Sequence, residues 1–170
     1  KSAFISHASE DAALAGEVCT ALERNGLSCW IAPRDVAPGR DYASEIVGGI
    51  EASAVFVLLL SRQANDSAFV RREVERAASK GKPVVTVRLE AVTPARALEL
   101  FISSEQWIDA WQSPREPHWR RLAGVIRSLA TGTSLPSPST SAPVPPTRGS
   151  KPKSIALGLA ALLASAGIGG

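Results

Sequence analysis

The 170-residue chain contains no methionine, two cysteines, two histidines and a single tyrosine. With no methionine even at position 1, it is expected to be part of a longer protein. Cys19 and Cys29 stand at a spacing that matches no zinc motif, so they read as buried thiols in a reducing compartment. His7 has only His118 as a companion, which supports no histidine-based metal centre. Acidic residues are absent from the C-terminal part: all 16 lie before residue 131, together with 16 of the 19 Lys and Arg. The net charge of +3 therefore comes entirely from Arg148, Lys151 and Lys153, and the preceding part is neutral. That excludes a broad basic face, and with it nucleic acid as the expected partner.

What is present is an alternation of apolar runs with amphipathic stretches up to about residue 130. Ala3–Ser6 reads as a strand, followed by a helix over about Glu10–Asn25 with Ser9 as its N-cap and Asn25-Gly26 as its stop. Leu27–Ile31 is a second strand, and Asp41–Glu51 a short helix. The run Ala54–Leu60 has no polar alternation, which fits a strand buried on both faces. A helix over about Ser67–Lys80 stops at Gly81, and Pro83–Val87 is the next buried strand. A fifth strand is expected within Leu98–Ile108 and a last helix over Glu116–Ala130. Strands alternating with helices imply right-handed crossovers and a covered parallel sheet. The predicted fold is a flavodoxin-like α/β domain with five strands in the order 2-1-3-4-5, whose ligands sit beyond the carboxyl ends of the strands.

Beyond that domain, residues 131–153 hold six of the 12 prolines among Ser, Thr and Gly, the composition of an extended linker. Residues 154–170, SIALGLAALLASAGIGG, carry no charge. They read as the start of a transmembrane helix, or as an apolar Ala/Gly-rich tail. If a span, the three positive residues before it keep the domain on the cytoplasmic side by the positive-inside rule. The expected location is cytoplasmic, anchored to the membrane through this segment.

On such a sheet, chemistry belongs to the loops after strands 1, 2 and 3. The first, Ser6-His7-Ala8-Ser9-Glu10-Asp11, offers a hydroxyl at the strand end and a histidine that is a base, a substrate contact or a loop polar group. In the second, Pro38-Gly39 suits a type II turn and the pair Arg34-Asp35 projects ahead of it. The loop is longer than a connector needs, which favours a binding role. The third leads into Ser67-Ala-Phe-Val-Arg-Arg-Glu-Val74. Here Ser67 or Asp66 caps the helix, and Val70, Val74, Ala77 and Ala78 form its core stripe. Glu73 borders that stripe on the side of Phe69, while Glu75 points to solvent. Periodicity alone leaves Glu73 a solvated charge, or one paired with Arg72 or Arg76.

Taken together, AFISHASED, RDVAPG and SAFVRREV resemble three patterns of the Toll/interleukin-1 receptor (TIR) domain family, bacterial in type. The likeness covers roughly residues 1–130. The third pattern, Ser-x-aromatic-x-x-x-Glu, marks the members that cleave NAD. The family's Phe-Trp box is missing in strict form, with Gln106–Trp111 the nearest candidate. The resemblance implies that Glu73 is the catalytic glutamate, that Phe69 stands for the aromatic four residues earlier, and that Ser6, His7, Ala8 and Arg34 border the substrate pocket. Some active relatives carry arginines where this chain has Ala8 and Ser9. The implied reaction breaks the nicotinamide–ribose bond of NAD through an oxocarbenium-like ribose. A carboxylate stabilises that charge, and nicotinamide leaves neutral from a cationic ring, so one carboxylate suffices. No metal or further cofactor is required.

The expected function is thus an NAD glycohydrolase of a membrane-tethered signalling or defence protein, active when self-assembled. The alternative is a non-enzymatic module acting by TIR–TIR contact through Arg34, Asp35, Pro38 and Gly39 of the second loop. A phosphorylatable receiver domain on a similar sheet fits less well, because Ser61 rather than an aspartate follows the third strand.

Overall fold

The computed structural model describes residues 1–102 and 107–132. Five strands form one parallel sheet: β1 (Ala3–Ser6), β2 (Cys29–Ile31), β3 (Val55–Leu60), β4 (Val84–Arg88) and β5 (Trp107–Asp109), in the order β2-β1-β3-β4-β5. This is the doubly wound α/β architecture the alternation of elements predicts. The helices are α1 (Ala12–Arg24), α2 (Tyr42–Ala52), α3 (Arg62–Asp66), α4 (Ala68–Ser79), α5 (Arg96–Glu99) and α6 (Glu116–Thr131).

The pleat divides the strand residues between two cores. Ala3, Ile5, Val55, Val57, Leu59, Val85 and Val87 face α1 and α6, packing with Val18, Leu22, Trp119, Leu122 and Ile126. Their neighbours Phe4, Trp30, Phe56, Leu58 and Leu60 face the other way, against Ile46 and Ile50 of α2 and Val70 and Val74 of α4. Because Phe4 is in register with both Trp30 and Phe56, the three rings stack across the sheet at centroid distances of 4.8 and 5.4 Å. All six residues of β3 are buried, as its unbroken apolar run requires.

Several local expectations are corrected. Ser9 does not cap the first helix; a 3-10 turn over Ser9–Asp11 precedes α1, and Ser9 Oγ donates to Glu10. Asp41 stands outside α2 as its N-cap, accepting from Ser44 N at 2.8 Å. The short helix α3 was not anticipated, since a five-residue segment shows no apolar period; Ser61 caps it. The fifth strand lies at the far end of its expected window, whose beginning is occupied by part of α5. Trp107 and Trp111, in the segment nearest to the Phe-Trp box, flank the Arg88 guanidinium at 4.8 and 4.7 Å, and Asp109 accepts from Arg88. No helix among the described residues is long and apolar enough to cross a membrane. The expected span over residues 154–170, and all but the first two residues of the expected linker, lie outside the described residues.

Candidate functional site

A cleft of about 670 Å³ opens at the carboxyl ends of β1 and β2. The loop after β1 gives it His7, Ala8, Ser9 and Glu10; the loop after β2 gives Ala32 and Pro33; α2 gives Tyr42. The segment after β3 closes it with Gln63, Asp66 and Ser67, and Phe69 and Glu73 of α4 complete the wall. The volume is that of an ordinary small-molecule site.

Local sequence explains why Glu73 arrives there. Ser67 caps α4, its Oγ accepting from Val70 N at 3.2 Å, which resolves the choice between Ser67 and Asp66. Starting the helix at Ala68 turns Val70, Val74 and Ala77 into the core and brings Glu73 in beside them. Glu73 is only 7% exposed, so it is not the solvated edge charge that periodicity allowed. Nor does it pair with Arg72 or Arg76: Arg76 binds Glu51, and Glu73 Oε2 accepts from Ser6 Oγ at 2.5 Å. Glu75 is exposed, with Arg71 3.9 Å away. Burial pushes the Glu73 carboxyl up to about 7, against the Ser6 hydrogen bond, which favours the charged form. A carboxyl poised near neutrality in a cleft is a functional-site signature.

The other expected site residues divide. His7 lines the cleft, its Nδ1 2.7 Å from Ala8 O and its Nε2 3.2 Å from Ala32 O, bridging the first and second loops. Ala8 lines the cleft while 5% exposed. Ser6 is buried beneath Glu73 rather than on the cleft wall, so it acts on Glu73 and not directly on a ligand. Arg34 is not at the cleft. Its guanidinium turns back toward α1, 2.9 Å from Glu23, and donates to Cys29 O at 3.2 Å. Asp35 does not project either; its carboxylate accepts from Ile31 N at 2.8 Å and from Arg34. Pro38 and Gly39 form the expected turn: Arg40 N donates to Ala37 O at 3.2 Å and Gly39 has φ of 78°. Both are exposed at the tip of the second loop.

One residue that sequence reasoning passed over stands out. Tyr42, the sole tyrosine, is 46% exposed and faces Phe69, 42% exposed, at a centroid distance of 6.2 Å and a tilt of 40°. Two exposed aromatic rings on one cleft wall can hold a planar heterocycle. Its position directly after the capping Asp41 at the start of α2 was the available signal. Behind Phe69 and Glu73, a smaller apolar groove of about 180 Å³ opens between α2 and α4.

The fold has clear relatives among solved structures. The TIR domain of the Toll-related receptor TRR-2 from Hydra magnipapillata matches with a TM-score of 0.63 at 21% identity, covering 74% of this chain and 98% of that one. A metazoan TIR-STING receptor from C. gigas matches with a TM-score of 0.55 at 21% identity, over 76% of this chain and 40% of that one. No curated protein matches the sequence. The family profile described as TIR domain matches residues 3–123, and the chain therefore belongs to the TIR domain family.

Proposed function

We propose that this TIR domain cleaves NAD at the nicotinamide–ribose bond, with Glu73 as the catalytic carboxylate. The observation that carries the reading is a buried carboxyl, tuned to about 7, in the wall of a cleft whose rim holds two exposed aromatic rings. Tyr42 and Phe69 offer faces for the nicotinamide ring. Glu73, one helical turn beyond Phe69, is then placed to meet the ribose.

Each part has a physical role. The nicotinamide ring of NAD is cationic and leaves as a neutral base, so the leaving group needs no acid. Positive charge instead migrates to the ribose as the bond lengthens, and an ionised Glu73 in a site shielded from water stabilises it. The Ser6 hydroxyl holds Oε2 and favours the ionised state; the cationic substrate favours it too. Water, or another nucleophile, then completes the transfer. Pro38 and Gly39, exposed at a tight turn, suit contact with a second TIR domain in an active assembly.

The test is nicotinamide release from NAD by clustered protein, wild type against Glu73→Ala, with circular dichroism to confirm the fold. A fall of about 100-fold or more is expected, the scale of removing one preorganised catalytic group. Activity that survives the substitution would remove Glu73 from the mechanism. No activity from clustered wild type would leave the contact-module reading in its place.

A further inference from the structure

The sheet face remote from Glu73 holds a cluster that NAD cleavage does not use. Cys19 on α1 and Cys29 at the start of β2 are both free and at most 1% exposed. Their sulfurs and a carboxylate oxygen of Glu23 all lie within 4.8 Å of one another. Above them the Arg34 guanidinium is 2.9 Å from Glu23 and 3.2 Å from the carbonyl of Cys29. The Glu23 and Arg34 side chains are 40% and 45% exposed, so the cluster reaches the surface at this ion pair.

We infer that Cys19 and Cys29 form a redox-active dithiol that peroxides oxidise to an intramolecular disulfide, with the neighbouring Arg34 guanidinium as the charge that favours the reacting thiolate. The two sulfurs already lie within 4.8 Å of each other, against about 2.05 Å in a disulfide. The two thiols are also unlike each other. The Cys29 hydrogen bond and the Arg34 charge hold Cys19 below the usual thiol range, against burial and the charges of Glu23 and Asp35. Cys29 is raised well above that range by its hydrogen bond to Cys19 and by burial. In the proposed chemistry Cys19 is the nucleophile and Cys29 the partner that keeps its proton.

The chemistry balances. The Cys19 thiolate attacks one peroxide oxygen and becomes a sulfenic acid, while the departing hydroxide takes the proton Cys19 had lost and leaves as water. Cys29 then attacks the sulfenic sulfur, and its proton leaves with the sulfenic oxygen as a second water. Two thiols are oxidised, and one hydrogen peroxide is reduced to two waters. Arg34 belongs to the same loop as Ala32 and Pro33, which line the cleft.

The experiment uses the full chain, purified with reductant and a chelator, then exposed to equimolar hydrogen peroxide. Alkylation of the denatured protein followed by mass spectrometry counts the remaining thiols, and peptide mapping locates any cross-link. Both thiols should disappear together in a monomer, yielding a linked Cys19–Cys29 peptide. Arg34→Gln should slow the reaction about tenfold and move its pH dependence upward, while Arg34→Lys restores most of the rate. Thiols that stay free, separate sulfinic acids, or cross-links only between chains would overturn the dithiol. An unchanged rate and pH profile in Arg34→Gln would overturn the assignment of Arg34.

Discussion

The two faces of the sheet come from the same strands yet are built differently. Toward α1 and α6, the strands present small and branched apolar side chains, with Cys29 at the margin. Toward α2 and α4, they present a row of stacked rings, and β1 then ends in Ser6. Thr86 of β4 lies on this side by alternation, and its hydroxyl has no hydrogen-bond partner among the described residues. The first face keeps its strand residues apolar, while the second tolerates polar groups where the rings stop. That interruption admits a carboxyl to the core beside the cleft. Loops supply most of the cleft wall, but the buried place for Glu73 comes from ending an apolar row at Ser6.

Removing the charge from Glu73 tests that contrast most strongly. Burial pushes its carboxyl up to about 7 in the folded protein, against an ordinary value of 4.5, so the folded state holds the proton more tightly. Stability associated with this group is complete below about pH 4.5 and is lost as pH rises toward 7, flattening above it. The difference corresponds to about 3 kcal/mol. Glu73→Gln should therefore stabilise the protein by up to that amount at pH 8 and by almost nothing near pH 4. Urea unfolding of both proteins at the two pH values measures it. Asp41 and Glu51 run in the opposite sense: Ser44 holds Asp41 below the usual carboxylate range, and Lys80 and Arg76 do so for Glu51. Both are unchanged in the variant and cancel. Equal stabilisation at both pH values would show that burial does not control Glu73.

The sheet was legible because period is a property of neighbouring residues: the unbroken apolar run of β3 and the stripe on α4 need nothing distant to be read. The cleft was legible only in part. The third loop pattern led to Phe69 and Glu73, but the Ser6 partner of Glu73 is 67 residues away and no local signal announces it. Arg34 was misplaced for a related reason. Sequence gives the loop it belongs to but not its direction, and the exposed carboxylate of Glu23, brought near by the α1–β2 packing, draws it away from the cleft. Tyr42 was overlooked because a lone aromatic at a helix start carries no period.

The ring-bearing face should also resist added volume. Gly49 of α2 packs directly on Trp30, where an added Cβ would lie 2.6 Å from two indole carbons and 3.0 Å from the indole nitrogen. Trp30 cannot easily yield, because it is 7% exposed and stacked on Phe4. Gly49→Ala is expected to cost about 1–3 kcal/mol, the usual scale of overpacking, despite alanine's better helix propensity. Chemical denaturation gives the number, and an unchanged midpoint would mean that the aromatic row has room to shift.

The opposite face supplies the matching control. Gly124 lies inside α6, where a Cβ would meet nothing within 4 Å among the described residues. Its φ is not in the left-handed region, so alanine fits the backbone without strain. Gly124→Ala should stabilise the domain by about 0.5–1 kcal/mol, through lower unfolded-chain entropy and better helix propensity. The same chemical change thus has opposite signs on the two sides of one sheet. Destabilisation at Gly124 would mean that another surface packs closely over α6 in solution, and that this face is not simply the closed back of the domain.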